Sequence, residues 1–323
     1  IAALAAGWSA LCLAVAADFW QHSIHANAHI VSAALATTHL WLLVRWWRTG
    51  KDGWLAAFAV TLGCAATHHP ITLFGVPAYG IFILVARPRI WRQWRLLLTL
   101  AGCLLLGLTP LLYYPLRSPN APFGPNNMNT WEGFISHTTA RGLRVNLFHF
   151  GLADQLDRLT VFWSLLRIQF ALPVIALIVV GWMWWVKRAP KPALLVGVFV
   201  LTHLLFTLNT VQDVMAYLLI PFAALSIAAG LGALMVIEMV LQPQRLKGIQ
   251  TALPGASGMW RTGLILCGAI LLVFPVTGGV RNIQSGISLR DFVAAEEYVD
   301  AVHERFAGSG EGAVLLSNWE HLT

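Results

Sequence analysis

"MAYLLIPFAALSIAAGLGALMVIEMV", residues 215–240, carries one charged side chain, Glu238, along its whole length. As a helix it is long enough to cross a hydrocarbon layer of roughly 30 Å. Similar apolar blocks recur through the 323-residue chain, which is 58% hydrophobic and 11% charged. That charged share is about half of what a soluble domain carries. We therefore expect an all-α polytopic membrane protein with about nine spans. The blocks lie at residues 1–17, 28–47, 54–68, 71–86, 96–114, 161–186, 193–209, 215–240 and 262–280.

The net charge of +7 does not point to nucleic acid, because most basic residues sit in short loops between spans. "RWWRTGK" (45–51), "RPRIWRQWR" (87–95), "KRAPK" (187–191) and "QRLK" (244–247) all fall on one side of this topology. The positive-inside rule makes that side cytoplasmic, and the tryptophans beside these loops read as an interfacial belt. Cys12, Cys64, Cys103 and Cys267 lie inside apolar blocks without metal-ligand spacing, so they read as small buried hydrophobes.

The opposite, extracytoplasmic side receives the unusual segments. "CAATHHPITLFGVP" (64–77) sets His68, His69 and Pro70 between two short spans. Proline removes a donor and disfavours helix just before it. The expectation is a hairpin tip whose imidazoles are solvated, or face an outer cavity and contact a phosphate or a substrate hydroxyl. His22, His25 and His29 share helical spacing with Asp18 one turn earlier, which fits a polar cavity lining or a three-histidine metal site. The lining is the preferred reading, so no metal ligand is assigned. A divalent metal stays open as a cofactor.

The long external loop, 115–160, begins after Tyr113 and Tyr114 with Arg117, held between Pro115 and Pro119. A guanidinium there suits phosphate at headgroup level, or ordinary headgroup contact. "NTWEGFISHTT" in the same loop predicts a short helix capped by Asn129 or Thr130. Asp213, at the entrance of the 215–240 block, is a helix cap or a carboxylate facing the cavity.

The tail differs from the rest. Phe292, Ala295, Val299, Val302 and Phe306 recur at helical spacing, "GSGEG" makes a turn, and "AVLLS" reads as a strand. Residues 281–323 are thus expected to begin an extracytoplasmic α/β domain after a membrane domain at 1–280. Ile1 lies inside an apolar run and is not a methionine, so the chain reads as a fragment that is inactive alone.

Four stretches carry a resemblance: "DFWQHSIHANAH", "THHPITLFGVP", "YYPLR" with "NTWEGFISHTT", and "DVMAYLLIPFAALSIAAGLG". Together they resemble the bacterial membrane proteins related to the animal transmembrane protein O-mannosyltransferase, a GT-C-type glycosyltransferase group. The resemblance implies a plasma-membrane enzyme that moves a sugar, such as mannose, from a polyprenyl-phosphate donor to a hydroxyl of a protein or glycan acceptor outside the cytoplasm. It implies His69, Arg117 and Asp213 around the site, and a catalytic Asp in an external loop ahead of Ile1. Where that group carries a Glu and, two residues on, a Tyr, this chain has Asn27 and His29, with Asp18 as the nearby carboxylate. The alternative is a non-enzymatic multi-pass transporter or envelope scaffold.

Overall fold

The computed structural model describes residues 1–24, 27–120, 127–210, 214–241, 257–284 and 293–306. Among them are fourteen α-helices and no strand. They are α1 (Ala2–Ala14), α2 (Ala17–Ser23), α3 (Ala28–Thr49), α4 (Asp52–His68), α5 (Val76–Ala86), α6 (Trp94–Gly107) and α7 (Tyr113–Arg117). There follow α8 (Trp131–Thr138), α9 (Gln155–Gln169), α10 (Leu172–Arg188), α11 (Pro190–Leu208), α12 (Val214–Leu241), α13 (Ser257–Gln284) and α14 (Ala294–Phe306). Residues Ile1–Asn282 form one compact unit and Ile283–Thr323 another. In the second, α14 covers the helical spacing seen in the tail, while "AVLLS" lies outside the described residues.

The protein is a helical membrane bundle, but not one of nine separate spans. Among the described residues, two helices are long and apolar enough to cross a membrane, Pro190–Leu208 and Val214–Met239, and the number rises to five if each bent pair counts as one span. The reason is interruption. α1 and α2 meet at 74°, α6 bends by 46° into Thr109–Asn120, and the chain turns 107° between α9 and α10. α4 and α5 have only 17 and 11 residues on either side of the Pro70 break. The block at 161–186 is therefore two helices, α9 and α10, that meet at 107°. Pro173 carries the signal, since a proline in the first turn of α10 needs no amide proton there.

α12 runs through the middle and is buried on two sides. Leu219, Ile220 and Ala224 join one apolar cluster with α3, α4, α5 and α11. Leu218, Phe222, Ala228, Ala229 and Ala233 join another with α1, α9, α10 and α13. Trp8 Nε1–H donates to the Leu271 carbonyl at 2.6 Å, and Ser9 Oγ–H donates to the Ser226 carbonyl, so α1 clasps both α12 and α13. Small residues let backbones approach where polar attraction is scarce. α10 crosses α12 at Gly181 and Gly232, and α4 crosses α6 at Gly63 and Gly107.

One end of the bundle is pinned by Arg87. Its guanidinium pairs with Asp52 at 2.7 Å, reaches the Gly50 carbonyl at 3.4 Å and Gln93 Oε1 at 3.2 Å, and lies over the Trp46 ring. Trp46 Nε1–H also donates to Asp52 at 3.1 Å. α4 and α6 therefore start at the same end, with the "RWWRTGK" and "RPRIWRQWR" loops together there. Their far ends, His68 and the turn Thr109–Leu112, emerge at the opposite end.

A methyl group on Gly181 would sit 3.0 Å from Gly232 Cα, and one on Gly107 would sit 2.9 Å from Gly63 Cα. Gly181→Leu should therefore cost about 1–3 kcal/mol and lower the thermal unfolding midpoint in detergent. Gly7→Leu, with nothing within 4 Å of an added Cβ, is the control. Equal midpoints would refute the close crossing.

Candidate functional site

At the far end of α4 the sequence forces a polar break. Pro70 holds His69 extended, at φ −157° and ψ 132°, and opens a 3₁₀ turn at Pro70–Gly75. The break is satisfied locally. The His69 N–H donates to the Ala65 carbonyl at 3.1 Å. Thr72 Oγ1, fully buried, lies 3.0 Å from the Ala65 carbonyl and 2.8 Å from the His69 carbonyl. His69 Nδ1 accepts the Ile71 N–H at 3.2 Å. The ring proton of neutral His69 is therefore on Nε2, which is left as a hydrogen-bond donor.

Two other elements meet this tip. Asn27 Oδ1 accepts the His29 N–H at 2.7 Å and so caps α3. His68 Nε2–H donates to the Ala28 carbonyl at 2.9 Å, tying the tip to that cap. The His29 and His69 rings are 4.7 Å apart at 65°. Tyr217, in the first turn of α12, lies 5.1 Å from His29 and 6.0 Å from His69. All three rings are half-buried and His68 is exposed. The tip also packs on the end of α11 through Phe74, stacked at 4.5 Å on Phe206. Phe206 meets Phe148 of the long loop. That loop is fixed by Arg158 Nε, which donates to the Leu208 carbonyl at 2.7 Å, and by the His149 N–H, which donates to Asn209 O at 2.9 Å. A cation at a helix C-terminus is favoured by the helix dipole.

His29, His68, His69 and Asn27 are thus brought together. His22 and His29 do not share one helix. α2 ends at Ser23, and the Asn27 cap starts a new helix at Ala28. His22 is buried and its Nδ1–H donates to the Asp18 carbonyl at 2.8 Å, while His25 lies outside the described residues. Asp18 is 1% exposed, and its N–H donates to Gln169 Oε1 at 2.9 Å. Among the described residues, no three His, Cys, Asp or Glu side chains gather to hold a metal ion.

Arg117 ends α7 with its side chain exposed, on the stretch that continues from α6 at the histidine end of the bundle. α8 starts at Trp131, and Thr130 Oγ1 accepts the Gly133 N–H at 3.2 Å, one of the two caps expected. Its His137 ring lies 4.7 Å from Tyr114, next to the α7 segment. Asp213 lies outside the described residues. Sequence reasoning missed Tyr217, which looks like part of an apolar span. The available signal was an aromatic hydroxyl in the first turn after "NTVQD".

Burial, and next the charge of neighbouring His68, hold the His69 imidazole below its ordinary value. His69 should titrate by NMR below about 6.5. Below that pH the unfolded chain binds a proton more readily than the folded one. The folded protein therefore loses stability as pH falls through 6.5, and His69→Gln should flatten that slope. A His69 titration at or above the ordinary value would refute the burial argument.

No curated protein and no solved structure matches the chain. Residues 1–92, which run from α1 past the histidine tip and α5, match the family model described as Protein O-mannosyl-transferase TMEM260 N-terminal domain. The part of the chain that carries His29, His68 and His69 is therefore similar to the N-terminal domain of an O-mannosyl-transferase family.

Proposed function

We propose that the protein is a GT-C-like glycosyltransferase of the plasma membrane. It moves a sugar, mannose by analogy with the matching family, from a polyprenyl-phosphate donor to a hydroxyl of a protein or glycan acceptor on the extracytoplasmic face. In this reading the Arg87 end is cytoplasmic, and the tail from residue 281 lies outside. The observation that carries the proposal is the cluster of His29, His69 and Tyr217 at a proline break, with both histidines in the stretch similar to the O-mannosyl-transferase family.

The chemistry follows from the groups present. The bond between the anomeric carbon and the phosphate oxygen breaks through an oxocarbenium-like state. Its electron pair stays on the leaving phosphate. Arg117 and the Nε2–H of His69 donate to that phosphate as its charge grows. The acceptor oxygen bonds to the anomeric carbon and gives its proton to a carboxylate. The resemblance assigns that role to an Asp of an external loop. Asp213 orders the substrate in this reading. His68 holds the tip by its bond to Ala28, and Asn27 sets His29 by its cap. Asp18 and His22 support α2 from a buried position.

Transport of a lipid or small solute is the alternative favoured by a specific observation, the three apolar helix pairs broken by 74°, 46° and 107°. Transporters build sites from discontinuous helices. The two readings separate in one assay. Membranes carrying the protein, produced from its whole gene, are given radiolabelled polyprenyl-phosphate mannose. Label should move to an acceptor, and Arg117→Ala and His69→Ala should each lower transfer by about a hundredfold, as when one charge-stabilising donor is removed. Arg117→Ala, whose side chain is exposed, should keep the unfolding midpoint of the parent. Unchanged transfer in His69→Ala would remove the histidine from the site. No transfer from a panel of polyprenyl-linked sugars would favour transport.

A further inference from the structure

A second polar feature lies away from the histidine cluster. A cavity of about 180 Å³ opens between the end of α1, the elbow joining α9 to α10, and α13. Its apolar wall includes Phe170, Val174 and Phe274, and its cationic wall consists of Arg167 and Arg281. Among the described residues, no carboxylate lines it. The elbow also aims the first turn of α10 at the cavity, where Ala171 and Val174 form part of the lining. The N-terminal end of a 17-residue helix carries partial positive charge.

Gln169 supplies the independent sign of a ligand. It lines the cavity and is 6% exposed. Its Oε1 accepts the Asp18 N–H at 2.9 Å, which fixes Nε2 as the donor end of the amide. That Nε2 is buried and has no hydrogen-bond partner among the described residues. A buried donor is expensive to leave unmade, so an acceptor in the cavity would relieve it. Arg281 Nη2 donates to the Ile168 carbonyl at 3.1 Å, which holds its guanidinium at the rim with donors to spare. Arg167 is exposed and is in no ion pair among the described residues.

We propose that this cavity binds a phosphate group, with Arg167 and Arg281 holding its oxygens and Gln169 Nε2 donating to one of them. Two planar forks beside a helix N-terminus match the charge and the oxygen geometry of a phosphate. The apolar wall fits a phosphate carried on a lipid tail, and a free phosphate ion is the other source of the same chemistry. The site is independent of the donor site proposed above.

The test is thermal unfolding of the purified full chain in detergent. It is titrated with short-chain phosphatidylglycerol, with diacylglycerol of equal chain length, and with inorganic phosphate at constant ionic strength. Phosphatidylglycerol should raise the unfolding midpoint and diacylglycerol should not. Arg167→Gln removes an exposed side chain that is in no ion pair among the described residues, so its own midpoint should match the parent. Its half-saturating lipid concentration should rise about tenfold, the loss of one charge-assisted hydrogen bond. Arg281→Lys should keep part of the response. An Arg167-dependent shift with inorganic phosphate alone would assign the site to a soluble anion. No shift in the parent, or equal shifts in the parent and in Arg167→Gln/Arg281→Gln, would overturn the proposal.

Discussion

α12 is apolar all round, and its neighbours cover it from two sides. Its two flanks feed two separate apolar clusters, one with α3, α4, α5 and α11 and one with α1, α9, α10 and α13. Both groups of helices are placed by the need to cover it. Small residues then set how near they come, at Gly232 against Gly181 on α10 and at Gly230 against Ser9 on α1. Tyr217, in the first turn of α12, is the point where this buried axis reaches the polar end of the bundle.

Polar groups survive in such surroundings only when paired nearby. The bundle shows two ways of doing so. At one end Arg87 collects Asp52, Gly50, Gln93 and the Trp46 ring into one network. At the other, Thr72, His69 and Asn27 pair with backbone groups within a few residues of themselves. The second arrangement satisfies the backbone without using every imidazole nitrogen. His69 Nε2 stays a donor, and two rings and a phenol lie within reach of one another. Breaks in the apolar helices are thus where chemistry-bearing groups accumulate, both at the histidine tip and at the elbow with Gln169.

Much of this was legible as local pattern. Thr130 before "WEGF" predicted the cap of α8, and the spacing of Val299, Val302 and Phe306 predicted α14. Pro70 predicted the tip. Counting apolar residues overestimated the spans, because composition does not reveal a bend. Residues 161–186 look like one crossing until Pro173 is weighed, and the real chain turns there by 107°. The helical face expected to join His22 and His29 is broken for a related reason. Helical spacing has meaning only inside one helix, and Asn27 begins a new one.

The sequence by itself determined that this is a membrane bundle of apolar helices, with cationic, tryptophan-rich loops at one end and proline breaks at the other. Those features are set by composition and by the backbone preferences of single residues. Only the tertiary structure decided which breaks meet. His29, His69 and Tyr217 come from α3, the tip and α12, and Arg167 and Arg281 come from α9 and α13. The physical reason is that apolar burial has no direction. A hydrophobic face must be covered, but its pattern does not name the helix that covers it, so the polar residues carried in by the packing partner stay unpredictable until the packing is known.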